Sequence, residues 1–261
     1  MNVAAASLLA PDVDAERRFG GLQRLYGLQG AQRIRAAHVA VVGIGGVGSW
    51  AVEALARSGV GRITLVDFDQ VSESNINRQI HAETRTVGMA KVDAMRDRIG
   101  QINPQCHVTC IEAFATPDNW QAMAEHAGFS AVIDACDQVK TKVALAAWTR
   151  GQATMLMIAV GAAGGKRRAD KLAIADISDV THDPLLAQVR YRLRREHAAP
   201  RDKRMGLWCV YSTESVAPPD PSCAVEGDGS LNCHGYGSVV AVTASFGMCA
   251  AGWVLDELAK K

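Results

Sequence analysis

The sequence carries almost no net charge. Its 28 Lys and Arg residues face 27 Asp and Glu residues, which gives a formal charge of +1 at pH 7. Overall charge therefore selects neither an acidic nor a basic partner, and any surface for nucleic acid must be local.

Paired cysteines are also absent. The seven cysteines are odd in number and form no Cys-x-x-Cys motif. Zinc sites with four cysteines use such pairs, so the pattern argues against one. It favours a reducing compartment, and we expect the protein in the cytoplasm.

A secretion signal and an uninterrupted apolar span are missing as well. The N-terminal residues lack a basic start and an apolar core, and we predict a flexible tail over residues 1–16. Residues 237–255 have the length of a membrane span, but Ser238 and Ser245 interrupt them and Asp256 follows. They predict a buried helix, and a membrane-spanning helix is the less favoured alternative.

What the sequence does contain is an alternation of strands and helices. With 261 residues, of which 48% are hydrophobic, the chain can bury a large core. Short β-branched runs alternate with segments of helical spacing between residues 39 and 160. This order predicts an α/β fold with a mostly parallel sheet and helices on both faces.

A glycine-rich turn joins the first predicted strand to the first helix of this pattern. Residues 39–42 read as a buried strand, and after them come Gly43, Gly45, Gly46 and Gly48. Backbone N–H groups in such a turn can approach an anion, and the helix dipole favours negative charge there. Asp67 ends the next strand about 20 residues later, where an acid can bind ribose. The pattern predicts a Rossmann-like fold that binds a phosphorylated ligand; a tight turn without a ligand is the alternative.

Polar side chains follow several of the predicted strands. They are Asp69, Asn75, Arg78 and Gln79 after the second strand, Lys91 at the next helix, and Asp134 and Asp137 after a later strand. The carboxyl ends of parallel strands bind ligands in α/β proteins. We therefore expect Lys91 to provide charge for a triphosphate, and Asp134 or Asp137 to hold Mg²⁺. Ordinary solvated loops are the alternative.

The C-terminal part contains a basic segment and a long loop. The basic segment consists of Arg190, Arg192, Arg194, Arg195, Arg201, Lys203 and Arg204. A phosphate backbone is a suitable partner for it, and a solvated helix face is the alternative. In the loop, Cys223 and Cys233 are candidates for reactive thiols, although no local feature indicates a lowered pKa.

Together these motifs resemble the nucleotide site of the ubiquitin-activating-enzyme superfamily, which includes bacterial molybdopterin and thiamine adenylyltransferases. The resemblance covers roughly residues 18–160. It implies that the glycines, Asp67, Asp69, Asn75, Arg78, Gln79, Lys91, Arg18 and Asp134 bind ATP. It also implies that Asp137 holds Mg²⁺ and that Arg78, Lys91 and Asp137 are catalytic. A monovalent cation is compatible with it, and either Arg18 or Arg24 could meet the γ-phosphate.

A narrower resemblance, to the tRNA threonylcarbamoyladenosine dehydratase family, comes from the Arg-Phe-Gly-Gly opening at residues 18–21, the basic segment and the cysteine-containing loop. It implies a homodimer that uses ATP to adenylate the threonyl carboxylate of the modified adenosine and close it into a ring. The implied partners are tRNA, contacted by the basic segment, and a cysteine-desulfurase system, with Cys233 as a reactive thiol. On this reading, residues 17–165 form the adenylation region and residues 166–261 complete the same domain.

Three other functions fit parts of the pattern. An adenylyltransferase that activates the C-terminus of a small ubiquitin-like sulfur carrier would share the ATP site, but it often has the zinc cysteines that are missing here. A nicotinamide-dependent oxidoreductase would explain the glycines and leave Asp69, Arg78 and Lys91 without a role. A nucleotide sensor or membrane-tethered scaffold is supported by the apolar C-terminal helix alone.

Overall fold

The protein is described by a computed structural model that covers residues 14–152, 154–220, 222 and 236–260. The strands are β1 (His38–Val42), β2 (Arg62–Val66), β3 (His107–Ile111), β4 (Ala131–Asp134), β5 (Leu156–Val160), β6 (Leu172–Asp176) and β7 (Trp208–Ser212). The helices are α1 (Ala15–Ala36), α2 (Gly48–Arg57), α3 (Lys91–Ile102), α4 (Trp120–Ala124), α5 (Val139–Arg150), α6 (Pro184–Glu196) and α7 (Val240–Lys260). Short 3₁₀ turns span Glu73–Asn75 and Ala169–Lys171.

All seven strands form one sheet in the order β3-β2-β1-β4-β5-β7-β6. Every neighbouring pair is parallel except β6 and β7. One face is covered by α1, α2, α3 and α7, and the other by α4, α5 and α6. The predicted α/β class, with a mostly parallel Rossmann-like sheet between helices, is confirmed.

Burial on both faces explains why the strands read as continuous apolar runs. In β1, Val39 and Val41 face one cluster of buried side chains, and Ala40 and Val42 face the other. A strand covered on both faces gains burial from every residue, so its sequence does not alternate with polar residues.

The structure differs from the expected elements at two places. Helix α1 begins at Ala15, within the predicted tail, and the Asp14 side chain caps it by accepting the Arg17 backbone N–H at 3.0 Å. Strand β7 was not expected, because its five residues lie between two polar loops. It lies between β5 and β6 in the sheet, and no local sequence pattern predicts its pairing with these two strands.

The apolar C-terminal stretch forms α7, which packs on α1, α2 and the sheet. Its Gly247 lies so close to α2 that an added Cβ would be 2.4 Å from the Val47 carbonyl oxygen. In the described ranges, no helix combines the length and apolarity needed to cross a bilayer. The prediction of a buried helix agrees with this packing.

The glycine turn between β1 and α2 is the tightest part of the fold. Gly43 has φ of +87°, and an added Cβ there would lie 2.9 Å from the Ala135 backbone. At Gly48 an added Cβ would lie 1.8 Å from the Gly43 carbonyl oxygen, whereas at Gly45 it would meet no atom within 4 Å. The turn therefore requires glycine at its ends and leaves space at its centre.

We expect Gly48→Ala to destabilise the protein by at least about 2 kcal/mol, because the turn cannot accept the methyl group without backbone movement. Gly45→Ala is the matched control and should stay within about 0.5 kcal/mol of the wild type. Urea unfolding at equilibrium measures both. Equal stabilities of the two variants would contradict this account of the turn.

Candidate functional site

The carboxyl ends of β1, β2 and β4 meet at one edge of the sheet. Because β1 lies between β2 and β4, the chain turns in opposite directions from it, which is the topological switch point where α/β proteins bind ligands. The glycine turn follows β1, Asp67 follows β2, and residues 135–138 follow β4. The fold therefore brings these three segments together, as the sequence predicted.

The centre of the glycine turn presents donors without acceptors. Within the described residues, the backbone N–H groups of Gly45, Gly46 and Val47 donate to no protein atom, and α2 has no side-chain cap. The Cβ position of Gly45, in the same turn, has no neighbour within 4 Å. Uncapped N–H groups at a helix N-terminus attract anions, so the turn has the form of a phosphate site.

Asp67 ties the ends of β1 and β2 together. One carboxylate oxygen accepts the Ile44 N–H at 2.6 Å, and the other accepts the Asp69 N–H at 2.9 Å. Burial raises the pKa of Asp67, while the charge of Lys91 and these two N–H donors oppose the rise. Its predicted contact with ribose remains a prediction, for which each oxygen retains a second lone pair.

Lys91 lies beside this carboxylate at the start of α3. Its ammonium is almost completely buried and pairs with Asp69 at 2.7 Å, and its backbone N–H donates to the Asp69 carbonyl at 3.0 Å. Asp69 is half exposed, at 53% of its side chain. An anionic ligand entering the edge would find Lys91 already positioned by Asp69.

Arg78 lies over the glycine turn. An added Cβ on Gly46 would meet the Arg78 Cγ at 3.3 Å, and Trp50 Nε1 donates to the Arg78 carbonyl at 2.9 Å. The guanidinium donates to the Ser74 carbonyl at 2.7 Å and to Asn77 Oδ1 at 2.9 Å. Arg78 is therefore anchored at its backbone and near the open space.

The other two predicted residues of this segment are buried. The Asn75 side chain accepts the Ser72 N–H at 3.1 Å and closes the short 3₁₀ turn. Gln79 is 5% exposed, and its side-chain oxygen has no partner among the described residues. Asn75 thus shapes the loop that presents Arg78, and any ligand contact of Asn75 and Gln79 remains a prediction.

The two acids after β4 differ in position. Asp137 is exposed on the turn that packs against Gly43. Asp134 is completely buried and pairs with the equally buried Lys142 at 3.2 Å, so it lies beneath the edge and not on it. The geometry therefore does not support the predicted direct contact between Asp134 and ATP.

Lys142 stays protonated beneath the edge. Burial opposes the charged form of Lys142, but the adjacent Asp134 carboxylate raises the pKa of Lys142 above its ordinary value. Burial and the same carboxylate raise the pKa of the neighbouring Cys136 thiol. Cys136 therefore stays protonated, and its Sγ donates to Asp134 Oδ1 at 3.0 Å.

The residues present fit a nucleoside triphosphate and Mg²⁺. The carboxyl edge of the sheet carries free N–H groups at the glycine turn, the Arg78 side chain over this turn, the buried ammonium of Lys91 and the exposed carboxylate of Asp137. Among the described residues no three His, Cys, Asp or Glu side chains cluster as a metal site. Mg²⁺ does not require such a cluster, because one or two carboxylates and substrate phosphates suffice to hold it.

Arg18 lies away from this edge within the chain. Its Nη1 donates to the carbonyl of Ile102 at 2.7 Å, at the last residue of α3. Lys91 is the first residue of this 12-residue helix, so the two sites are roughly 16 Å apart along it. A contact between Arg18 and ATP bound by the same chain is not supported, because α3 separates them.

The basic segment lies at the opposite edge of the sheet. Helix α6 starts at the carboxyl edge, where Asp183 accepts the Ala162 N–H at 2.9 Å, and its 13 residues span about 20 Å. The segment continues to β7, which starts at the amino edge. Most of the predicted RNA contacts are therefore remote from the glycine turn.

Members of the basic segment also differ in their partners. Arg190 donates to the carbonyls of Ile177 and Val180, and Arg194 to those of Pro200 and Arg201. Arg195 pairs with Glu196, and Arg204 lies 6.0 Å from the Trp208 ring centroid. The side chains of Arg192, Arg201 and Lys203 contact no acceptor in the part of the chain described. These three are the most available for an external phosphate.

The candidate thiols Cys223 and Cys233 lie outside the described residues. Of the described cysteines, Cys106, Cys110, Cys136, Cys209 and Cys249 are free. Burial raises the pKa of Cys106 to about 11. It also raises the pKa of Cys209. Neither has the lowered pKa of a reactive thiol.

His81 is a residue of this region that the sequence analysis did not single out. It is 2% exposed, and neither ring nitrogen has a hydrogen-bond partner among the described residues. It lines a groove of about 870 Å³ together with Arg18 and Arg98. Burial, and then the charges of Lys91 and Arg98, lower the pKa of His81 to about 4. No local sequence pattern indicates this lowered pKa, because the charges that contribute to it lie on α3.

Comparisons with known proteins place this geometry in context. A family model described as ThiF family matches residues 19–259. The tRNA threonylcarbamoyladenosine dehydratase of Escherichia coli strain K12 is 43% identical over 255 residues, which cover 94% of this chain and 94% of that protein. A Salmonella typhimurium molybdopterin-synthase adenylyltransferase is 40% identical over 119 residues, which cover 46% of this chain and 47% of that protein.

A solved structure is similar over nearly the whole chain. It is the crystal structure of the E. coli tRNA N6-threonylcarbamoyladenosine dehydratase in complex with ATP, with a TM-score of 0.85 and 42% identity. The match covers 94% of this chain and 96% of that one.

Stability should fall in acid because of His81. The unfolded histidine titrates near 6.5 and the folded one near 4, so the unfolded state binds more protons between these values. Stability is then complete above pH 6.5 and is lost as the pH falls towards 4, by up to about 3 kcal/mol. Urea unfolding of His81→Gln should lack this component, and the control His107→Gln, at an exposed position, should retain it. An unchanged pH dependence in His81→Gln would contradict the assignment.

Proposed function

The chain belongs to the ThiF family, and from that membership we propose that it is an ATP-dependent dehydratase of N6-threonylcarbamoyladenosine in tRNA. The observation that carries the proposal is the edge of the sheet. There, unused N–H groups of the glycine turn lie next to Arg78, and Asp67 links this turn to the segment whose Asp69 pairs with Lys91. The chain also matches a dehydratase over almost its whole length.

ATP is the nucleotide that this edge binds. Its phosphates lie at Gly45 and Gly46, where the N–H groups and the α2 dipole favour negative charge. Its ribose lies near Asp67. Arg78 and Lys91 neutralise the charge that builds on the α-phosphate and the departing pyrophosphate, a contribution that usually dominates such chemistry.

The reaction then proceeds in two displacements. The threonyl carboxylate attacks the α-phosphate. The bond between the α- and β-phosphates breaks, and pyrophosphate leaves. In the acyl-adenylate, the carbamoyl oxygen attacks the activated carbon, AMP departs with one former carboxylate oxygen, and the carbamoyl nitrogen loses a proton. The nucleoside thereby loses one water, and holding its side chain folded accelerates the second displacement.

Mg²⁺ fits the exposed carboxylate of Asp137, and when bound it supplies charge that screens the phosphates of ATP. Asp69 and Asn75 contribute by holding Lys91 and the Arg78 loop in position. No protein nucleophile is needed in this scheme, so any role of Cys233 is auxiliary.

The basic segment contacts the tRNA away from the reacting base. It begins about 9 Å along α6 from the carboxyl edge, at Arg190, and extends past the end of this helix, about 20 Å from that edge, a distance that a tRNA bridges easily. With tRNA as substrate, the enzyme acts in the cytoplasm. By family resemblance it forms a homodimer, and a cysteine-desulfurase system is its further partner.

The direct test incubates the protein with ATP, Mg²⁺ and tRNA that carries threonylcarbamoyladenosine. Digestion to nucleosides and mass spectrometry should show the loss of one water, with one AMP formed per modified nucleoside. ATP consumption stimulated by a glycine-ended sulfur-carrier protein, with unchanged tRNA, would support the adenylyltransferase instead. That alternative is weaker, because the molybdopterin-synthase relative matches less than half of the chain.

Lys91→Ala should lower the rate of AMP formation by at least about 100-fold, because it removes a positive charge from the transition state. Asp137→Ala should also lower it. Arg85→Ala is the control, since Arg85 is exposed on the loop before α3 and pairs only with Glu83 among the described residues. Wild-type turnover in Lys91→Ala, with circular dichroism showing the folded state of each variant, would remove Lys91 from the mechanism.

Replacing Arg192, Arg201 and Lys203 together by Gln should weaken tRNA binding and reduce the slope of log K against log salt by about 2 to 3. Triple replacement of Arg35, Arg62 and Lys260, which are exposed elsewhere, is the control. Filter binding over a salt series measures both. Equal slopes for the two triple variants would move the RNA surface to another part of the molecule.

A further inference from the structure

The buried pair of Asp134 and Lys142 lies under the nucleotide edge, and the reaction described above does not use it. Both side chains are completely buried, and their charged atoms are 3.2 Å apart. Placing two charges in the interior is costly, and apolar residues of similar volume are often as stable. Stability alone therefore does not account for the pair.

The pair fixes the turn that follows β4. Lys142 Nζ donates to the backbone carbonyl of Asp134 at 3.1 Å as well as pairing with its carboxylate. The carboxylate also accepts the Cys136 N–H at 3.2 Å, and the Lys142 N–H donates to the Gln138 carbonyl at 3.0 Å. The Lys142 side chain thus holds the Asp134 end of residues 134–138, and the first backbone hydrogen bond of α5 holds the other end.

The same turn forms one wall of the nucleotide edge. The Ala135 N–H donates to the Val42 carbonyl at 2.8 Å, and the Gly43 Cα faces the Ala135 backbone without room for a methyl group. Asp137 is exposed at the outer end of this turn, and its one contact with a described side chain is the Gln138 amide at 3.2 Å. Nothing else in the described residues holds its carboxylate in place.

From these contacts we propose that Lys142 is a positioning residue: paired with Asp134, it holds the turn over residues 135–138 so that Asp137 can receive the Mg²⁺ that accompanies ATP. The proposal rests on the function proposed above for the nucleotide edge. Contacts that hold a metal ligand in position change metal affinity by about 10- to 100-fold when they are removed. Lys142 itself touches neither ATP nor Mg²⁺.

The test removes both charges at once. Lys142→Met alone leaves a buried carboxylate unpaired, which is strongly destabilising and endangers folding. The double variant D134N/K142M retains the acceptor for the Cys136 N–H and removes only the attachment to Lys142. Its control is E53Q/R98M, which removes another largely buried ion pair, 2.7 Å long, from the α2 and α3 side of the sheet.

The measurement is calorimetric binding of ATP at graded Mg²⁺ concentrations, without tRNA. In D134N/K142M, the Mg²⁺ concentration for half-maximal ATP binding should rise by at least about tenfold. In the control it should not change. Because no tRNA is present, a failure to dehydrate tRNA would reject the proposed substrate and leave this result interpretable.

A comparison with D137N separates positioning from general damage. If Lys142 acts through Asp137, the variant D134N/D137N/K142M should need no more Mg²⁺ than D137N. A further rise equal to that of D134N/K142M alone would overturn the proposal, as would an unchanged requirement in D134N/K142M. If D134N/K142M does not fold, Lys142→Arg provides the test, because it keeps the positive charge but shifts its position. A raised Mg²⁺ requirement in Lys142→Arg supports the proposal, and a wild-type requirement overturns it.

Discussion

The bidentate hydrogen bonding of Asp67 is the constraint on which the rest of the site depends. Its two oxygens hold the Ile44 and Asp69 N–H groups, and these belong to the turns that follow β1 and β2. A buried carboxylate is costly unless it is satisfied, and here two donors and the nearby Lys91 offset the cost. The Gly43 N–H donates to the Val66 carbonyl and the Ile44 N–H to Asp67, so the N–H groups left without a partner among the described residues are those of Gly45, Gly46 and Val47.

Charge is buried in unusual amounts along the same edge. Besides Asp67, the side chains of Lys91, Asp134, Lys142 and Asp183 are less than 9% exposed. Each has partners that limit its movement, so the exposed groups above them are supported by fixed charges. Such an arrangement is less favourable than an apolar core, and the apolar clusters on both faces of the sheet supply the stability it lacks.

The two edges of the sheet have different characters. The carboxyl edge collects N–H donors, acids and two basic side chains, whereas the basic segment runs from the middle of α6 towards the amino edge, up to about 20 Å away along that helix. A single ligand that uses both must be longer than a nucleotide. A folded RNA satisfies this condition, because its phosphates extend far beyond the base on which the chemistry takes place.

The glycine spacing, Asp67, Lys91 and the strands β1 and β2 were predictable from the sequence, because their signals are local: strand propensity, a turn that requires glycine, and an acid at a set distance. Other features required the tertiary structure. Strand β7 is defined by its pairing with β5 and β6, which are distant along the chain. Arg190 and Arg194 donate to backbone carbonyls that the fold brings close to them. The pKa of His81 is lowered by burial and by the charges of Lys91 and Arg98 on α3. Asp134 and Asp137 looked equivalent in sequence, and only the packing of α5 buries one and exposes the other. Local chemistry is encoded by neighbouring residues, whereas burial and pairing depend on contacts between residues that are distant along the chain.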